Sequence, residues 1–142
     1  MEPIFQQLLE KYAKDVKLVV KNFPLRSHRM ALKAALAAVA AHNQGKFWEF
    51  HDKLFENHRS LTDQKIDEIA AELNLDMERF SADRKSPAAN TRIFNDIRSG
   101  QAAGVRGTPA LFINGKQVKQ RSLQNISRMI EAELQRHAGK QK

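Results

Sequence analysis

The sequence predicts an α/β fold in which short strand segments near the two ends of the chain bracket a long block of helices. Three observations carry this reading. Val16-Lys17-Leu18-Val19-Val20-Lys21 is β-branched, partly alternating, and bounded by Asn22 and Pro24. Ala110–Ile113 and Lys116–Lys119 flank Asn114-Gly115, the pair preferred where a two-residue turn needs both residues at positive φ. Between those strands the apolar residues recur at helical spacing.

Each element has its own signal. Pro3 suits a first helical turn, and Ile4, Leu8 and Tyr12, with Phe5 and Leu9 beside them, form an apolar stripe, so the chain opens as a helix. Val16–Lys21 carries apolar residues on both faces, as a largely buried strand does. Ser27 to Ala41 is alanine-rich and nearly apolar all round in its second half, which predicts a deeply packed helix, and Gly45 ends that region. Phe47, Trp48, Phe50, Leu54 and Phe55 predict a helix with an aromatic face, reaching Asn57. Thr62 is placed to cap the next helix, with Asp63 in its first turn and Ile66, Ile69, Ala70 and Leu73 on one side. A short helix over Met77–Asp83 follows. Ser86-Pro87 is a cap followed by a first-turn proline, opening a helix that carries Ile93, Phe94 and Ile97 and ends near Gly100 or Gly104. After the hairpin, Ser122 caps a closing helix with Leu123, Ile126, Ile130 and Leu134 on its inner face, ending before Gly139.

Composition excludes several classes of function. At 142 residues with 42% hydrophobic and 28% charged, the chain has the make-up of one globular domain. Its most apolar stretch, Met30–Ala41, is short and interrupted by Lys33, so no bilayer span is expected. The amino terminus lacks the basic, apolar and small-residue succession of a signal peptide. With no cysteine, the polypeptide has no disulfide framework, no thiolate metal site and no thiol nucleophile. The net charge of +8 invites a polyanion partner, but from Arg98 onward nine Lys/Arg face two Glu, four of the nine on the last helix and its Gly-Lys-Gln-Lys tail. A solvated face accounts for that excess better than a nucleic-acid surface, because no aromatic or glycine-rich reader motif interleaves it.

Gly104-Val105-Arg106-Gly107-Thr108-Pro109 places a proline directly before an apolar strand, where its missing N–H does least harm. That run, followed by a short strand, Asn-Gly and an amphipathic helix, resembles the cis-proline loop and C-terminal ββα unit of the thioredoxin fold. Asn22-Phe23-Pro24-Leu25, the alanine-rich helix and Gln44–Phe55 resemble the helical insertion of the DsbA-like thiol-disulfide oxidoreductases. The two motifs together cover nearly the whole chain. The resemblance implies one DsbA-like domain over 1–142, with 1–25 and 104–142 as the thioredoxin-fold part and 26–103 as the insertion. It also implies a bacterial periplasmic or cytoplasmic setting and catalysis of disulfide formation or exchange in substrate polypeptides.

The chain departs from that family where the chemistry lies. The first strand and the Cys-x-x-Cys motif that follows it are absent, and thiol-disulfide exchange needs a thiolate that no residue here supplies. The expected fold is therefore an incomplete thioredoxin-like one, redox-inactive as this chain, and either a fragment of a cysteine-bearing parent or a cysteine-free relative. In the family the missing strand lies between the equivalents of Val16–Lys21 and Ala110–Ile113. Its removal leaves unpaired main-chain groups, from which a homodimer formed through exposed sheet edges is expected.

The resemblance implies Thr108 and Pro109 as the substrate-side loop, with Arg106 bordering it and tuning its charge. No catalytic residue, cofactor or metal is assigned. His51 and His58 are seven apart, too far for close two-histidine ligation, and His28, His42 and His137 lie on other segments. Glu49 and Asp52 read as solvent-facing charges, and Phe47, Trp48, Phe50 and Phe55 as helical core. The alternative function is a non-catalytic peptide-binding or interaction module of the same fold; a basic nucleic-acid-binding domain is more distant.

Overall fold

A computed structural model of the chain describes residues 1–140 and shows seven helices and one two-stranded sheet among them. The chain forms two compact units, one comprising Met1–Val20 and Gly107–Lys142, the other Lys21–Arg106.

In the first unit, α1 (Glu2–Lys11) and α7 (Leu123–Lys140) pack together, and β1 (Phe112–Ile113) pairs antiparallel with β2 (Lys116–Gln117). Leu8, Tyr12, Val118, Ile126 and Ile130 are its buried core. The stripe read from Ile4, Leu8 and Tyr12 is thus the face that meets the inner face of α7. The Tyr12 hydroxyl donates to Glu131 at 2.7 Å, so the aromatic ring is buried without stranding its polar tip. Asn114 and Gly115 both have positive φ, 46° and 80°, as the hairpin turn requires. The strands are shorter than expected at two residues each, although Val118 N–H still donates to the Leu111 carbonyl at 2.8 Å beyond them.

The expected strand at Val16–Lys21 does not form. No backbone hydrogen bond involves Lys17 to Lys21 among the described residues, and the sheet contains only β1 and β2. A strand is defined by a partner, and β propensity cannot supply one. The local pattern nonetheless persists as burial: Val16 and Leu18 are half-buried while Lys17 and Val19 are exposed.

The second unit is helical: α2 (Ala31–Asn43), α3 (Phe47–Glu56), a 3₁₀ turn (His58–Ser60), α4 (Asp63–Glu72), α5 (Met77–Arg84) and α6 (Pro87–Ala102). Ala37, Ala38, Ala40 and Ala41 of α2 form one cluster with Phe50, Ile66, Ile69 and Phe80. Small side chains let neighbouring helices approach α2 closely, which explains its alanine richness. Helix α2 starts at Ala31 rather than at Ser27, because backbone turns occupy Leu25–Ala31. The caps lie where the sequence places them: Lys65 N–H donates to Thr62 Oγ1 at 3.1 Å and Ala89 N–H to Ser86 Oγ at 3.1 Å. Gly45 and Gly104 adopt positive φ beyond the ends of α2 and α6. Gly100 instead lies inside α6, where a Cβ would stand 2.8 Å from the Phe23 ring, so it serves close packing and not termination. Only Phe50 of the four aromatics on α3 is fully buried; Trp48 and Phe55 are 43% and 57% exposed, correcting their reading as core. The closing helix likewise runs past Gly139 to Lys140, and the end of the basic tail, 141–142, lies outside the described residues.

Candidate functional site

The Thr108–Pro109 peptide bond is cis and leads directly toward β1. Both residues are exposed, as are Gly107 and Ala110. Across the unit, the Arg121 guanidinium donates to the Pro109 carbonyl oxygen. Sequence reasoning missed Arg121, since twelve residues separate it from Pro109 and only the hairpin returns it to the loop. Arg106 is the last residue of the helical unit and is also exposed.

Beside the loop, the hairpin is pinned to α7 by a buried carboxylate. Glu133, only 8% exposed, accepts from Lys116 Nζ at 2.5 Å, from Asn114 Nδ2 at 3.2 Å and from Arg136 at 2.7 Å. The Lys116 hydrogen bond foremost, with those from Asn114 and Arg136, lowers its pKa to about 2. On the same helix, hydrogen bonds from Tyr12 and then Lys11 hold the Glu131 carboxyl below its ordinary value.

A groove of about 350 Å³ opens in this unit between Asp15–Leu18 on one flank and Leu111–Asn114 on the other. Phe5, Leu8, Ile126, Ile130 and Leu134 give it apolar lining, and Glu133 and His137 line it too. The Val118 N–H donates to the Leu111 carbonyl, so by the alternation of an antiparallel ladder the N–H and C=O of Phe112 point away from β2.

The histidines show no shared ligand arrangement in the helical unit. His51 is enclosed by aromatic rings, 4.7 Å from Phe55 and 5.6 Å from Phe47, while His58 Nδ1 donates to the Phe55 carbonyl at 2.7 Å. Glu49 and Asp52 are exposed, as expected of solvent-facing charges.

A cis-proline loop entering a hairpin and an amphipathic helix, preceded by a helical unit, marks a thioredoxin-like protein. The family model described as Thioredoxin matches residues 1–132, and the chain belongs to that family. Among solved structures it is similar to a thioredoxin-like oxidoreductase from Silicibacter pomeroyi DSS-3, with TM-score 0.77, 25% identity, and coverage of 95% of this chain and 77% of that one. It shares its fold with the oxidoreductase DsbA from Xylella fastidiosa, with TM-score 0.73, 19% identity, and coverage of 95% and 78%. Curated relatives include the Na(+)/H(+) antiporter NhaA of Herminiimonas arsenicoxydans, 36% identical over 115 residues, and NhaA 3 of Salinispora tropica, 38% identical over 119. Each match covers 81% of this chain but only 18% of the antiporter. No helix among the described residues is long and apolar enough to cross a membrane.

Proposed function

We propose that this is a DsbA-like protein disulfide oxidoreductase domain without catalytic cysteines, redox-inactive as this chain because it holds no cysteine. The observation that carries the reading is the exposed Thr108–Pro109 main chain, backed by Arg121 and continuous with β1. An extended substrate polypeptide docks beside Thr108 and Pro109 by main-chain pairing, which tolerates many sequences. Arg106 borders the loop in sequence and adds positive charge to that approach. The helical unit is read as an insertion within a single domain over 1–142.

Insulin reduction tests the chemistry. The chain alone should show no turnover above buffer, and a version extended ahead of Met1 by a strand and a Cys-x-x-Cys should be active. Failure of the extended version would leave the non-catalytic peptide-binding module as the function.

Self-association through the sheet edges is the second reading, favoured by the unpaired main chain of Lys17–Val20. Sedimentation across a concentration series tests it: a monomer throughout rejects the homodimer.

A further inference from the structure

The helical unit carries an apolar face that its own core leaves uncovered. A groove of about 410 Å³ lies between α2 and α6, lined by Leu32, Asn90, Thr91, Ile93, Phe94 and Ile97. Phe94 stands in it at 59% exposure and Leu32 at 48%. Along α6, Pro87, Asn90, Phe94, Arg98 and Gln101 form one exposed stripe at helical spacing, on which Arg98 is the only charge. Asn90 Nδ2 donates to the Ser86 carbonyl at 3.1 Å, which leaves its Oδ1 without a hydrogen bond among the described residues. The Arg98 guanidinium lies 5.8 Å from the centre of the Phe94 ring and forms neither a hydrogen bond nor an ion pair among those residues.

The order of these groups selects the occupant. Acceptor and donor stand four residues to either side of Phe94, so the stripe reads acceptor, ring, donor. A small apolar molecule would fill the groove and leave both polar groups as they are. An acidic segment would pair with Arg98 and bring no donor to the Asn90 oxygen. We propose that a second copy of this chain docks on this face, α6 antiparallel to α6, about a two-fold axis at Phe94. The antiparallel copy presents donor, ring, acceptor, so Arg98 of each copy donates to the Asn90 oxygen of the other. The two Phe94 rings pack offset on one another and over Leu32 and Ile97 of the opposite groove. The two Arg98 side chains stand two helical turns apart, about 12 Å, beyond the roughly 8 Å over which charges act at physiological ionic strength. The face is small, below about 1,200 Å² of total buried area, so the dimer is weak and transient. It is built from the helical unit alone, and its failure would leave both peptide docking at Thr108–Pro109 and pairing through the sheet edges untouched.

Sedimentation of the full chain from about 10 μM to about 1 mM tests the proposal. The weight-average mass should rise toward that of a dimer in the upper part of the series. Phe94→Asp, at an exposed position, should weaken association at least about tenfold while the urea midpoint stays close to that of the parent chain. Asn90→Asp replaces a neutral acceptor by a carboxylate opposite Arg98 at two symmetric places. It should tighten association at least about threefold, and Arg98→Ala added to it should abolish the gain. Asn90→Asp removes no apolar contact and decides the matter by itself if Phe94→Asp unfolds. Val19→Lys, which charges the other candidate edge, should leave association unchanged. A monomer throughout, or association unmoved by Phe94→Asp, overturns the proposal, as does Asn90→Asp without tightening. Association lost with Val19→Lys also overturns it and assigns the dimer to the sheet edges.

Discussion

Lys116 Nζ lies 2.5 Å from Glu133 Oε1, joining the second strand of the hairpin to the middle of the last helix. Glu133 also receives Asn114 from the turn, so one carboxylate holds both the turn and the strand that follows it. The hairpin has only two residues per strand, too little for stability by ladder bonds alone. The carboxylate, with the Val118, Leu111 and Ile113 side chains packed in the same core as Ile126 and Ile130, fixes it on α7.

This gives a pH dependence with a definite sign. The Glu133 pKa is lowered from 4.5 to about 2, so its contribution is complete above 4.5 and is lost as pH falls toward 2. Thermal melts at a series of pH values should show wild type more stable than Glu133→Gln at neutral pH. The difference should shrink through that window.

Tyr12→Phe keeps the buried ring and removes the hydroxyl that donates to Glu131. The Glu131 carboxyl should then titrate closer to its ordinary value, since its largest source of depression is gone. A carboxyl chemical-shift titration of wild type and variant reads this directly. An unmoved Glu131 would transfer the effect to Lys11.

Gly115 has φ +80° and open space where a Cβ would stand. Its substitution therefore carries a conformational cost without a steric one. Gly115→Ala should cost about 1 kcal/mol in denaturant unfolding. Hydrogen exchange at Val118 should accelerate, as hairpin opening becomes easier.

Phe50 is fully buried among α2, α4 and α5 residues, its ring 5.7 Å from that of Phe80 in a tilted arrangement. Phe50→Ala should destabilise by about 3–5 kcal/mol through lost burial and the cavity left behind. Trp48→Ala, on the same helix but exposed, should cost far less. Equal costs in urea titrations would contradict the assignment of Phe50 as the packing residue of α3.

The sequence by itself determined whatever is encoded locally. Thr62 and Ser86 cap because a hydroxyl reaches an amide three residues on, and Asn114-Gly115 turns because those residues tolerate positive φ. The absence of cysteine was equally legible, since a missing residue type needs no fold to notice. Tertiary structure alone decided what depends on a distant partner. Val16–Lys21 has the composition of a strand but pairs with nothing among the described residues, Gly100 answers to the Phe23 ring, and Arg121 meets Pro109 only after the hairpin turns. Propensity acts within a few residues along the chain, whereas pairing, packing and groove formation require segments that sequence separates and folding brings together.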